Sequence, residues 1–327
     1  MFEPTIDHEI FKDFCKTQPS PIPFGSVNEN IVWLSFWQFL LSGTNLIYIL
    51  NDNFNFEDSA NPFFTQLSSS GQGDREFKTL NKFNWPHGNK LPQKTFPGSF
   101  FCIIQEDQKK REQLVRLNGM LFGFINDYKD QWEKLSISGR KHHTFHVRKG
   151  FEGENSFKNW ATLSQYILPF TDVIICDKYI NDKFCRDHNL LEIIRLLDKQ
   201  AIHSYNLLII TNKGDRNFLD EFEKYIKEKI KKYTLKAKFG IVLSSKEHDR
   251  CIIMNYLKIE SGDSFNFFNR DGTIITNGTE LKLFPLCYSE NYDDVRLKLS
   301  ILKKIVANEN EDIRGNLNNR LFEYCED

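Results

Sequence analysis

DVIICDKYINDKFCRDHNLLEIIRLLDKQAIHSYNLLIIT, residues 172–211, holds the pattern from which the architecture follows. Two short apolar runs, Asp172 to Cys176 and Asn206 to Thr211, are too brief for helices and have the near-continuous hydrophobicity of strands buried on both faces. Between them Leu190, Leu191, Ile194, Leu197 and Ala201 recur at close to i, i+3, i+4 spacing with charges interleaved, which makes 187–202 an amphipathic helix. Strand, helix, strand is the unit of a layered α/β domain. Outward from it the alternation continues: helices over 157–167 and 216–232, strands over 236–243, 250–254 and 257–260, and a last amphipathic helix over 293–307.

Toward the N-terminus, a dense apolar and aromatic run over 30–42 reads as a core helix and 45–50 (NLIYIL) as a buried strand. Residues 51–98 contain Pro62, Pro86, Pro92 and Pro97 and the SSSGQG run at 68–73, and so read as a loop-rich insertion with short helices. Strand 99–105, helix 107–117 capped by Asn118-Gly119, and strand 120–125 then form a β-α-β unit. The polar, basic stretch 128–158 marks the expected boundary: an N-terminal α/β domain of uncertain type over 1–150 and a layered α/β domain over 151–327.

The chain has 327 residues, 43 Lys and Arg against 44 Asp and Glu, and 40% hydrophobic residues. Each half is nearly neutral, with 17 basic against 16 acidic residues up to residue 150 and 26 against 28 beyond it, so neither has the excess positive charge of a dedicated nucleic-acid binder. Seven cysteines without a C-x-x-C pair read as reduced thiols, and with no basic leader or apolar run of about 20 residues the expectation is a cytoplasmic chain without a transmembrane segment.

The chemistry concentrates in His248-Asp-Arg-Cys-Ile-Ile-Met-Asn255 followed by Gly262-Asp-Ser-Phe-Asn266. Histidine can attack a phosphodiester phosphorus, a neighbouring cation balances the phosphate charge, and a hydroxyl and an amide hold phosphate oxygens. On that logic His248, Arg250 and Asn255 are the catalytic candidates, and Arg250, Gly262, Ser264 and Asn266 the phosphate-binding ones. Asp177, Tyr179 and Asp249 are supporting candidates, since Asp177 and Tyr179 directly follow a strand, where α/β sites lie. The same residues also read as a buried polar network, with Asp177 or Asp249, that ties strands together.

This spacing, H-x-R-x4-N then G-x-S-x-N, resembles a degenerate phospholipase-D-type motif, usually H-x-K-x4-D-x6-G-S-x-N. Together with Leu163 to Phe170, Asp177-Lys-Tyr-Ile180 and His188-Asn-Leu-Leu-Glu192, it is similar to the phospholipase-D-like C-terminal domain of microtubule-interacting-and-transport domain proteins and their standalone bacterial relatives. The resemblance covers about residues 150–290, with Lys178 in place of that family's proline. It implies a phospholipase-D-like fold and a phosphate site. Its eukaryotic members are inactive relatives that bind anionic membranes, which implies peripheral lipid contact as one partner class. Active members of the superfamily pair two motif copies, so hydrolysis from this single copy implies a homodimer.

Three departures bear on activity. Arg250 keeps the charge of the usual lysine and can grip phosphate bidentately. Asn255 cannot serve as the anionic partner of a histidine. Only one copy of the motif is present. The expectation is therefore a protein that binds a nucleic-acid backbone or another phosphate-bearing ligand, with an active homodimeric nuclease or phosphodiesterase in an anti-phage setting as the alternative.

A second constellation, Asp52, Asp107 and Asp127, follows three expected strands, as a Mg²⁺ or Mn²⁺ nuclease requires. No other cofactor is implied. Arg140-Lys-His-His143 with His146-Val-Arg-Lys149 reads as an exposed basic linker, and the lysine-rich 224–238 as a solvated helix face.

Overall fold

A computed structural model describes residues 2–19, 27–41, 45–50, 54–69, 76–81, 97–104, 107–212, 218–234, 236–246, 249–274, 278–308 and 312–325. The fold is mixed α/β, as expected, with two separate sheets. The chain divides into two compact units, Met1–Lys141 with Leu286–Tyr292, and His142–Pro285 with Asp293–Asp327.

In the first unit the elements run β1 (Glu3–Asp7), α1 (His8–Lys16), α2 (Val27–Leu41), β2 (Leu46–Leu50), α3 (Phe56–Ser59), α4 (Pro62–Ser69), β3 (Phe77–Asn81), β4 (Ser99–Ile103), α5 (Gln108–Asn118), β5 (Leu121–Phe124) and α6 (Tyr128–Leu135). Every strand pair is parallel, in the order β3-β2-β1-β4-β5, a doubly wound order that reverses between β1 and β4. The central strand β1 is the element the sequence hides best, because it is five residues long and contains Pro4. Pro4 pairs with Phe100 of β4, whereas pairing with β2 begins only at Thr5, so the missing N–H falls where one neighbour is absent. The expected β-α-β unit is present as β4-α5-β5: Asp107 caps α5 by accepting from the Lys110 N–H at 3.1 Å, and Gly119 ends it in the left-handed conformation. The apolar run over 30–42 is helix α2, and its Trp33 ring stacks on Phe14 at 4.6 Å.

In the second unit the elements are β6 (His143–Val147), β7 (Asp172–Cys176), α7 (Leu190–Gln200), β8 (Tyr205–Thr211), α8 (Phe218–Glu228), β9 (Ala237–Leu243), β10 (Cys251–Met254), β11 (Leu257–Ser261), β12 (Thr279–Pro285), α9 (Ser289–Val306, of which 293–306 belong here) and β13 (Asp312–Gly315). Sheet order is β13-β9-β8-β7-β10-β11-β12-β6. Strands β7, β8 and β9 are parallel, and all the other pairings are antiparallel. Helix α7 buries Leu190, Leu191, Ile193, Ile194, Leu196 and Leu197, the face the spacing specifies.

Three expectations are corrected. The stretch 142–149 is not a basic linker, since His143–Val147 forms the edge strand β6 against β12. Its histidines alternate across the strand: His143 is buried, stacked on Tyr166, and His146 lies on the other face. The expected helix over 157–167 is a 3-10 segment, Trp160–Tyr166. Strands β12 and β13 add two antiparallel neighbours that the reading of the sequence missed. At the β9–β13 pair, Gly240 faces Gly315, and a Cβ on Gly240 would lie 2.1 Å from the Asn316 carbonyl oxygen. Glycine is required there because two backbones meet.

Candidate functional site

The antiparallel register of β7 and β10 builds the site. Cys251 pairs with Cys176 and Met254 with Val173, so Arg250, one residue before β10, falls beside Asp177, one residue after β7. This is the C-terminal edge of the parallel strands, where side chains from several strand ends converge. Further along, Thr211 at the end of β8 donates its hydroxyl to the Lys178 carbonyl at 3.2 Å, and Ser244 after β9 donates its N–H to the Thr211 carbonyl at 2.8 Å.

The Asp177 carboxylate is fully buried. One oxygen accepts from the Tyr179 N–H at 2.8 Å, an Asx turn that folds the chain over the strand end. The other accepts the Ser264 hydroxyl at 2.8 Å and the Phe265 N–H at 2.6 Å. Burial pushes this carboxyl above its ordinary value, while its three donors and the Arg250 charge pull it back down. Asn266 donates its amide to the Tyr179 carbonyl at 2.5 Å, and its own side-chain oxygen is buried without a partner among the described residues. Segment 262–266 is thereby pinned onto the turn after β7. The Ser264 hydroxyl and one Asn266 amide hydrogen, expected on phosphate oxygens, are engaged within the protein.

Arg250 differs. Its Nη1 donates to the Gly262 carbonyl at 3.2 Å, and its Nε is buried with no partner among the described residues. A guanidinium carries five donors, so this side chain retains unfilled capacity for an anion. Asp249 pairs instead with the Lys298 ammonium of α9 at 2.7 Å, which holds its carboxyl below the usual range. His248 lies outside the described residues.

Asn255 is not brought to this cluster. It occupies the two-residue turn between β10 and β11, with the length of β10, about 15 Å, between it and Arg250. There it is fully buried, and its side-chain oxygen accepts the Thr171 and Asp172 N–H groups at 3.0 and 3.2 Å. Its amide donates to the Thr171 hydroxyl at 3.1 Å, and its carbonyl accepts the Tyr324 hydroxyl at 2.5 Å. The register explains the correction: seven residues of chain from His248 carry Asn255 to the opposite edge of the sheet.

Asn189 was overlooked as a site residue. Fully buried, it donates to the Cys185 and Phe268 carbonyls, each at 2.8 Å, and accepts the Phe268 N–H at 3.0 Å, fastening the chain just beyond Asn266. The Asn-Leu pair at 189–190 was its signal in the sequence. The turn 177–188 leaves Tyr179 50% and Phe184 79% exposed.

In the first unit, Asp107 and Asp127 do follow β4 and β5, but as backbone acceptors: Asp107 caps α5, and Asp127 accepts the Phe124 N–H at 2.6 Å. Asp52 lies outside the described residues. Among the described residues, which do not include Asp52, no three His, Cys, Asp or Glu side chains converge as a metal site. A buried group that sequence reading missed is His8, whose Nδ1 lies 2.8 Å from the Tyr48 hydroxyl and whose Nε2 is 3.3 Å from Asp58; burial lowers its pKa. Lysines 224 and 227 pair with Glu228 and Glu223 along α8, as a solvated face does. Among the described residues no helix is long and apolar enough to cross a membrane.

No family model and no curated protein matches this chain. Among solved structures it is similar to a phosphatidylserine synthase of Haemophilus influenzae Rd KW20, at 11% identity and a TM-score of 0.32, over 68% of this chain and 50% of that one. It is also similar to TrmBL2, an archaeal chromatin protein with a novel mode of DNA binding, at 10% identity and a TM-score of 0.26, over 60% of this chain and 64% of that one. The chain spans less than two thirds of either protein's length, and at these TM-scores neither likeness bears on ligand or activity.

Proposed function

We propose that the second unit binds the phosphodiester backbone of single-stranded nucleic acid without cleaving it, with Arg250 as the phosphate ligand. The observation that carries this reading is the Arg250 Nε: a buried charged donor with no partner among the described residues is costly to keep unless an external acceptor completes it. The phospholipase-D-like spacing supports it, because that pattern places a cation on a phosphate. Hydrolysis is disfavoured by Asn255, which neither carries a charge nor stands near Arg250.

Tyr179 and Phe184 favour nucleic acid over a membrane. Their exposed rings lie on the turn after β7 to which segment 262–266 is pinned, and such rings form a stacking platform that accepts any base. A lipid surface calls for several unneutralised basic residues, whereas here Lys183 pairs with Glu221 and Lys229 with Asp187.

The test is fluorescence anisotropy of a labelled single-stranded oligonucleotide with the full chain, alongside vesicles containing phosphatidylserine. Arg250→Ala is expected to weaken oligonucleotide binding about tenfold for every sequence and to lower the salt slope by about 1. Arg250→Lys is expected to recover part of the loss. Undiminished binding in Arg250→Ala, or a preference for vesicles, would overturn the proposal. So would cleavage of bis-p-nitrophenyl phosphate by the wild type.

A further inference from the structure

A cleft of about 350 Å³ opens in the second unit between α7 and the 3-10 segment Trp160–Tyr166, at the low end of the range that takes small ligands. One side is lined by His188, just before α7, and by Glu192, Arg195, Leu196 and Lys199 of α7, which run along one helix face for about 10 Å. None of these residues belongs to the Arg250 cluster.

The cleft has an apolar part and a cationic part. Trp160, Leu196 and Phe268 supply the apolar wall. The Trp160 ring is backed by Phe267, stacked at 5.3 Å, and its indole N–H is held by the His188 carbonyl at 3.2 Å, so the wall is rigid. Arg195 pairs with Glu192 and lies over the Tyr233 ring at 4.4 Å, which fixes its position and neutralises the only carboxylate lining the cleft among the described residues. Lys158 and Lys199 remain, with no carboxylate in reach among the described residues. Two uncompensated ammonium groups at the rim of a small apolar cleft form a receptor for an anion that carries a flat apolar group.

We infer that this cleft binds a nucleoside phosphate, its base against Trp160, Leu196 and Phe268 and its phosphates between Lys158 and Lys199. The site is separate from the Arg250 cluster and does not rest on the oligonucleotide reading.

The test is isothermal titration of the full chain with ADP and, separately, with inorganic phosphate. The wild type is expected to bind ADP at least tenfold more tightly than phosphate, because phosphate lacks the group that covers the apolar wall. Lys158→Glu/Lys199→Glu, both at exposed positions, is expected to weaken ADP at least tenfold. Ala161→Trp, which fills the cleft from an exposed position, is expected to abolish binding. Arg250→Ala is expected to hold ADP affinity within twofold, and the lysine double variant to hold oligonucleotide affinity within twofold, so that the two sites succeed or fail separately. No heat with ADP, equal affinity for phosphate, or affinity indifferent to both cleft variants would each overturn the inference. Loss of ADP binding in Arg250→Ala alone would also overturn it, by moving the anion to the other cluster.

Discussion

The two ends of strand β10 carry the two halves of one sequence motif and put them to opposite uses. At the Arg250 end, a buried carboxylate pins a loop, and a guanidinium donor is left unfilled among the described residues. At the Asn255 end, three side-chain hydrogen bonds and the Tyr324 contact satisfy the asparagine, and the neighbouring asparagines close a seam with the C-terminal segment. There Asn316 reaches Asn206 at 2.8 Å and Asn319 the Val173 carbonyl at 3.1 Å. An unfilled donor is what a ligand can use, and a filled network is what a fold needs. The motif thus separates into a receptor and a clasp.

The largest effect expected from this contrast is on stability. Asn255→Ala strips the Thr171 and Asp172 N–H groups of their acceptor inside the protein and should cost about 3 kcal/mol, read from urea unfolding. Arg250→Ala should cost under about 1 kcal/mol, since one hydrogen bond is lost at a half-exposed side chain. The contrast fails if the two variants are equally destabilised.

A smaller effect concerns pH. Because burial raises the Asp177 pKa, the folded state holds that proton more tightly than the unfolded chain does. The resulting stabilisation is complete below the ordinary carboxylate range and is lost as pH rises through the raised value. Asp177→Asn cannot titrate, so the difference in unfolding free energy between wild type and variant should shrink with rising pH through that window. A constant or widening difference would remove Asp177 from the buried, desolvated role given to it.

The smallest expected effect is on activity. Asn255→Asp restores the acid of the usual motif, yet at the far edge of the sheet it should leave bis-p-nitrophenyl phosphate uncleaved, measured by nitrophenolate absorbance. Cleavage gained by this variant would join the two ends of β10 into one catalytic unit.

Much of the fold was legible locally. Strand β7 lies where its apolar run was read, and α7 buries the face its spacing specified, because periodicity reports which side of an element meets a core. Strand β1 escaped notice because five residues with a proline have no period to read. Strand β6 was masked by its histidines, whose charge pattern outweighed an alternation that is plain once His143, Phe145 and Val147 are seen buried. In the candidate site, the residue types of Arg250, Ser264 and Asn266 were visible, but not that Ser264 and Asn266 are turned inward.

The sequence by itself determined the α/β alternation, the helix cap at Gly119, and the concentration of phosphate-type residues between 248 and 266. Tertiary structure alone decided which of those residues meet. Ser264 reaches Asp177 across 87 residues of chain and Asn255 reaches Thr171 across 84, both set by the register of β7 against β10. The physical reason is that periodicity and capping are satisfied within a few residues, whereas a buried donor is satisfied by whichever acceptor the sheet brings beside it.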